Sequence, residues 1–242
     1  MPALLRLGGG VCDEEHVAEA ALPDRHPLVR ETAQAALRRA GSDPAEHYRR
    51  LATAQAPEPG AIAGLGETGA ADDADVVARW LSHPRARARV EAIRALRRLG
   101  VTRPVELVPM LRDDSAAVTR QAVTTLRREP GAVERPVLEA LLAAGNAPHV
   151  RFAGYRLLTT REDAWQRMAV NLRLLDDAGE RLRASARADL TAWLDNEAAT
   201  TYHAPSRDRA AELDSLIERT RPVLGEHRAR LLRFHTGLET AG

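Results

Sequence analysis

One helical phrase recurs five times in this chain and limits its folds more than any other feature. Val29-Arg30, Ala88-Arg89, Val118-Thr119, Val150-Arg151 and Leu182-Arg183 are each followed by a small residue four positions after the first (Ala33, Ala92, Ala122, Gly154, Ala186). Each also has leucine eight positions on (Leu37, Leu96, Leu126, Leu158, Leu190). From Ala88 the copies start 30, 32 and 32 residues apart, and the earlier gap leaves room for one degenerate copy. A period of that length is one helical hairpin, and a hairpin that cannot cover its own apolar stripe must stack on copies of itself. At about 100 degrees per residue, offsets zero, four and eight share an arc of about 80 degrees. The small residue at offset four then marks where a neighbouring helix comes close.

Composition fits helices alone. Apolar residues make up 44% of the chain, enough for a core, but aromatics only 3%. The apolar residues are mainly Ala, Leu and Val, and β-branched or aromatic runs that would mark strands are missing. The expected fold is all-α: a right-handed α-solenoid of about six stacked antiparallel hairpins, read as a single domain over 1–242. Within it, 13–69 are degenerate N-terminal repeats, 72–195 regular repeats and 206–240 C-terminal capping helices. Gly41 and Gly100 read as helix stops. The glycine-rich stretch 57–69 supports only a short helix, at 61–65. Trp80, Trp165 and Trp193 each sit beside Leu or Met at helical spacing and read as core. In the C-terminal segment Leu213, Leu216, Ile217 and Leu224, then Leu231, Leu232, Phe234 and Leu238, give apolar faces suited to closing the open end of a stack.

These residues resemble the short, roughly 30-residue variety of the HEAT-repeat superfamily, the kind also found in phycobilisome lyases. The family's second helix reads as Asp, two or three residues, Val-Arg, then Ala and Leu at helical spacing. His26-Pro27-Leu28-Val29-Arg30 with Ala33 and Leu37, and Asp113-Asp114 with Val118, Ala122 and Leu126, match it best. The likeness spans about 27–194 and departs at Thr119, where the family has Arg. It implies a solenoid whose second helices line a concave side, and an Arg at offset one that pairs with an Asp of a neighbouring unit. Family membership of this kind carries many unrelated roles, so function has to be argued from the surface.

Charge is where the surface becomes specific. All 35 basic residues are arginine, against 34 acidic ones. The excess of Arg sits on the second helices, so positive and negative charge are segregated. Arg30, Arg89, Arg151 and Arg183, at offset one, lie at the edge of the core arc and read as structural. Arg38, Arg94, Arg97, Arg120, Arg127 and Arg156 fall at offsets two, six and nine, about 180 to 240 degrees round the helix from the core. On a concave face these six would either line a groove for an acidic partner or form a solvated face whose charge is offset by Asp residues on nearby turns. A carboxylate-rich protein segment and a nucleic-acid backbone both suit guanidinium forks. The near-zero net charge and scarce aromatics favour the protein. The expected function is thus a non-enzymatic scaffold or adaptor that binds an acidic protein. The alternative is a nucleic-acid-binding protein, in the extreme a helical-repeat DNA repair glycosylase.

Catalytic and metal signatures are weak. No phosphate loop or nucleophile elbow is present. The His-Glu ligand dipeptide of iron-dependent hydroxylases built from such repeats occurs only reversed, as Glu15-His16, Glu46-His47 and Glu226-His227. Cys12 and His16 have ligand-like spacing, but two residues do not make a zinc site. No metal and no cofactor are expected. A single cysteine and a short apolar start, unlike a signal or a membrane span, lead to the expectation of a cytoplasmic protein with no membrane association.

Overall fold

The computed structural model describes residues 11–54, 58–129, 131–161, 163–201 and 203–238, with side chains from Glu14 onward except Arg161. Fourteen α-helices and no strand occur among them. The contacts divide the chain into two compact units, Met1–Ala132 and Val133–Gly242.

The first unit contains α1 (Val11–Ala21), α2 (Pro27–Arg39), α3 (Pro44–Ala52), α4 (Pro59–Thr68), α5 (Ala74–Ala78), α6 (Ala86–Arg98), α7 (Pro104–Leu107) and α8 (Ala116–Leu126). Short 3-10 turns, Arg79–Ser82 and Pro109–Arg112, prolong α5 and α7. Each odd-numbered helix packs on its successor, giving four hairpins in a helical-repeat-like arrangement. Proline opens α2, α3, α4 and α7, where its missing N–H costs nothing and its fixed φ already suits a helix. At the other end, Gly41 and Gly100 take φ of 84° and 73°. There the Ser42 and Val101 N–H groups donate back to the Leu37 and Leu96 carbonyls, the αL-glycine stop that the sequence indicates.

The second helices of this unit form one layer. α6 packs on both α4 and α8, and α2 reaches α4 through Arg30 and Gln34, which both donate to Glu67. The arc at offsets zero, four and eight faces inward, except that Val29 at offset zero of the first copy is exposed: Leu37, Leu96 and Leu126 are fully buried, as are Ala92 and Ala122. Each such leucine stabilises the fold by about 1.5–3 kcal/mol relative to exposure.

Helix α4 corrects the expectation of a short helix at 61–65. It runs ten residues, and every residue from Gly60 to Gly66 is buried. The glycines that weaken its intrinsic propensity let neighbours come close. A Cβ on Gly66 would lie 2.5 Å from the Ala95 Cα of α6.

The second unit contains α9 (Arg135–Leu141), α10 (Pro148–Arg161), α11 (Ala164–Leu174), α12 (Glu180–Asn196), α13 (Arg207–Leu224) and α14 (Glu226–His235). These again pair in order, and α11 also packs on α13. Copy four has Gly154 at its small position because even a methyl group there would come within 2.8 Å of the Leu138 carbonyl oxygen. Trp165 and Trp193 lie in the core, edge to face with centroids 5.7 Å apart. Leu213, Leu216, Ile217, Leu224 and Leu232 are buried in the same core.

Two expectations change here. Phe234 is exposed and does not join the apolar face of the last hairpin. Trp80 is only half-buried and lies against His83, with ring centroids 5.0 Å apart.

Candidate functional site

The arginines separate into two populations by what their guanidinium groups touch. The first builds the repeat. Four copies place a hydrogen-bonding side chain five residues before the phrase begins, and its side chain accepts the backbone N–H two residues on. The pairs are Asp24 with His26 (2.6 Å), His83 with Arg85 (3.0 Å), Asp113 with Ser115 (2.8 Å) and Asp177 with Gly179 (2.7 Å). The residue at offset one then holds the carbonyl of the same turn. Arg30 donates to the Asp24 oxygen, Arg89 to that of His83 and Arg183 to that of Asp177. Thr119 does the same with its hydroxyl, at 3.3 Å from the Asp113 oxygen. The missing arginine of copy three therefore leaves the turn satisfied.

The offset-one guanidinium also reaches beyond its own hairpin. Arg89 donates to both oxygens of Asp113 at 2.7 Å, and Arg151 to those of Asp177 at 2.9 and 2.5 Å. Arg30 finds Glu67 in place of an Asp. Arg183 pairs with Glu180 on its own helix. Asp177 is held below the usual carboxylate range, first by the Arg151 hydrogen bond, and Asp73 likewise by Arg49.

The second population comprises the six candidate residues. Arg38, near the end of α2, Arg120, within α8, and Arg127, its C-cap, are exposed and make no ion pair among the described residues. Arg94, on α6, pairs with Glu91 one turn back at 3.0 Å. Arg97, one turn further on, is half-buried and donates to the Gln121 side-chain oxygen of α8 at 3.4 Å. Arg156 belongs to the second unit, on α10, exposed and 6.0 Å from the centre of the Phe152 ring, over which Arg181 also stacks at 3.7 Å. Five of the six thus belong to the first unit, and within it Arg94 and Arg97 lie one turn apart on α6, with Arg97 reaching Gln121 of α8.

Spacing alone misses two residues of this surface. Arg98 approaches Glu67 at 3.5 Å, and Arg128 is close enough for its charge to act on Arg97. The Arg-Arg dipeptides 97–98 and 127–128 are the available signal. Counting offsets along an ideal helix singles out Arg127, but α8 ends at Leu126 and the next residues follow a turn. Burial first, then the positive charges of Arg128, Arg94 and Arg98, hold the Arg97 guanidinium below its ordinary value. Two of these arginines close α6, where the negative end of the helix dipole stabilises a cation by about 0.3–1 kcal/mol. That term explains why arginine is tolerated there but supplies no counter-ion.

Among the described residues no group of three or more His, Cys, Asp or Glu could hold a metal ion. His16 is exposed, 3.9 Å from Glu19, and the Cys12 side chain lies outside the described residues. No helix among the described residues is long and apolar enough to cross a membrane.

No protein-family model and no curated protein matches the chain. Among solved structures, one of an engineered protein is 14% identical, covers 93% of this chain and 94% of its own, and superposes with a TM-score of 0.42.

Proposed function

We propose that the chain is a HEAT-type α-solenoid that acts as a non-enzymatic interaction module, docking an acidic protein segment on the arginines of the second-helix layer of its first unit. The repeating turn clamp, with Arg or Thr at offset one, supports the repeat type. One observation carries the docking reading. In the first unit Arg30, Arg49, Arg89 and Arg103 are paired with carboxylates, whereas Arg38, Arg97, Arg120, Arg127 and Arg128 have none among the described residues. Guanidinium groups without a carboxylate on these second helices are ready to take one, in forked, charge-assisted bonds. The burial of Trp165 and Trp193 withdraws both from base stacking, which weakens the case for a nucleic-acid repair enzyme.

The test is fluorescence anisotropy of a labelled Asp/Glu-rich peptide against the protein and its Arg38→Glu, Arg97→Glu, Arg127→Glu triple variant. Binding that weakens with salt and disappears in the triple variant, with the helical signal retained, is the expected result. No binding, or equal binding by the triple variant, refutes the docking face. Tighter binding of duplex DNA than of the peptide replaces it with the nucleic-acid reading.

A further inference from the structure

In the second unit one small notch joins an apolar floor to two guanidinium groups that have no carboxylate. It lies where the end of α11, the middle of α12 and the turn from α13 into α14 meet. Leu175, Leu190 and Leu224, all buried, make its floor, and Val223, 37% exposed, stands beside them. Gly225, at φ 81°, turns the chain from α13 into α14, and Arg228 of α14 lines the same notch as Arg187 of α12. Both arginines are exposed and form no ion pair among the described residues. Elsewhere in this unit Arg151, Arg167, Arg173 and Arg209 each hold a carboxylate. The notch has a volume of about 10 Å³, room for one water-sized group, and its leucine floor gives water nothing to bond to. At Arg187 and Thr191 it adjoins an open groove of about 790 Å³ that follows α12 from Glu180 to Asn196. In that groove the Thr191 hydroxyl has no hydrogen bond and the Asp195 carboxylate no ion pair among the described residues.

We infer that the notch holds the C-terminal residue of a partner polypeptide, its carboxylate on Arg187 and Arg228 and a methyl-sized side chain on the leucine floor. The inference is independent of the docking face of the first unit. A chain terminus is the one place in a polypeptide where a carboxylate and a side chain leave the same Cα, so one short cavity can take both. An internal Asp or Glu carries its carboxylate at the tip of the side chain, and nothing is left to fill the floor. A free small acid leaves the groove along α12 empty, whereas the residues that precede a terminus can run along it, where Thr191 and Asp195 are available to accept backbone N–H groups. Capture of a terminal carboxylate is a recurrent mode of peptide recognition, and guanidinium groups bind that anion through forked, charge-assisted bonds.

The experiment titrates the full chain into the peptide Gly-Ser-Gly-Ser-Ala-Ala, which carries a neutral dye at its N-terminus and a free C-terminus, and reads fluorescence anisotropy. Saturable binding is expected. Amidating the terminus should weaken it by roughly tenfold or more, the loss of hydrogen bonds to a charged group. Leucine in place of the last alanine should weaken it by roughly tenfold, because it overfills the notch. Arg187→Gln and Arg228→Gln should each weaken it by roughly tenfold through the lost charge-assisted bonds, and, both side chains being exposed, should leave the thermal midpoint where it was. Arg97→Glu, in the first unit, should bind the peptide as the parent does, and a failure of the acidic-peptide test leaves this inference standing. The absence of saturable binding overturns it, as does equal binding of the amide, of the leucine peptide or by both glutamine variants. Loss of binding in Arg97→Glu places the peptide on the first unit and also overturns it. Displacement by acetate at the concentration of the peptide itself replaces the terminus with a free small acid.

Discussion

Arg89 ties two consecutive hairpins together: it donates to both carboxylate oxygens of Asp113 at 2.7 Å and, through its other terminal nitrogen, to the His83 carbonyl at 2.8 Å. Asp113 in turn accepts the Ser115 N–H that starts the next second helix. One side chain thus closes its own turn and fixes the turn that follows. The apolar phrase cannot do this, because leucine packing tolerates sliding along the helix axis and a forked, two-bond pair does not.

Removing the Arg89 side chain leaves Asp113 with most of its surface buried and its main cation gone. Arg89→Met should cost about 3 kcal/mol, at the low end for breaking a buried pair because both partners keep some solvent contact. The urea midpoint should fall with an unchanged slope. Arg89→Lys should recover little, since an ammonium cannot serve two carboxylate oxygens and a carbonyl in one plane. Full recovery by lysine would show that charge alone, without the fork, holds the hairpins in register.

Acid should loosen the fold from its interhairpin pairs. Arg49 holds the Asp73 carboxyl, and Arg151 the Asp177 carboxyl, below the usual range. A carboxylate with a depressed folded-state pKa contributes stability that is complete above its unfolded value, near 3.9, and is lost as pH falls through the folded value. Stability should therefore change little from neutrality down to about pH 5 on account of these two groups, and decline below about pH 4. Asp177→Asn should lower the midpoint at neutral pH and make the acid decline shallower. An acid limb of unchanged steepness in that variant would remove Asp177 from the account.

Helix propensity and packing make opposite predictions at Gly66. Alanine is about 1 kcal/mol better than glycine inside a helix, yet its Cβ would meet the Ala95 backbone at 2.5 Å. Backbone cannot move aside as a flexible side chain can, so α4 and α6 must separate, and overpacking of this kind costs about 1–3 kcal/mol. Gly66→Ala should thus be destabilising on balance. Gly145, in the turn between α9 and α10, where an added methyl would meet nothing within 4 Å and φ is not positive, is a control for the substitution away from any close neighbour, and Gly145→Ala should be neutral or slightly stabilising. Thermal melts of the two variants separate the effects.

Much of the repeat can be read from spacing because its determinants are local. Leu37, Leu96 and Leu126 point inward since offset eight returns to the same face, and Gly154 is small because a neighbour's carbonyl occupies its space. What spacing does not reveal is partnership across hairpins. Arg30 takes Glu67 because α4 ends beside it, and no local rule distinguishes Glu67 from the other acids of the degenerate unit. Arg128 escapes for a different reason: wheel positions lose meaning where a helix ends, and α8 stops two residues earlier. Phe234 and Trp80 look equally apolar in sequence, yet Phe234 lies on the exposed side of α14 and Trp80 is half-buried against His83. Local periodicity thus gives the face, while the identity of each ion pair depends on which helix ends meet.

Asn171 poses a question of a different kind, because it is polar in the middle of the second unit's core and is 1% exposed. It accepts the Tyr155 hydroxyl at 3.0 Å and donates to Asp189, which Arg167 also grips. Burial, and then the negative charge of Asp189, raise the Tyr155 phenol pKa, so this hydroxyl stays a donor throughout the ordinary pH range. Asn171→Leu keeps the volume nearly constant but strands the buried hydroxyl and removes a donor from Asp189, at about 1–3 kcal/mol for each group left unsatisfied. Tyr155→Phe alone should cost about 1 kcal/mol, the net value of one neutral hydrogen bond. The double variant has no stranded hydroxyl, so it should be more stable than the sum of the two losses implies, by a coupling of about 0.5–3 kcal/mol. Strict additivity in urea unfolding would mean that the two side chains merely share a core, and that the packing of α10 on α11 and α12 does not depend on this polar chain.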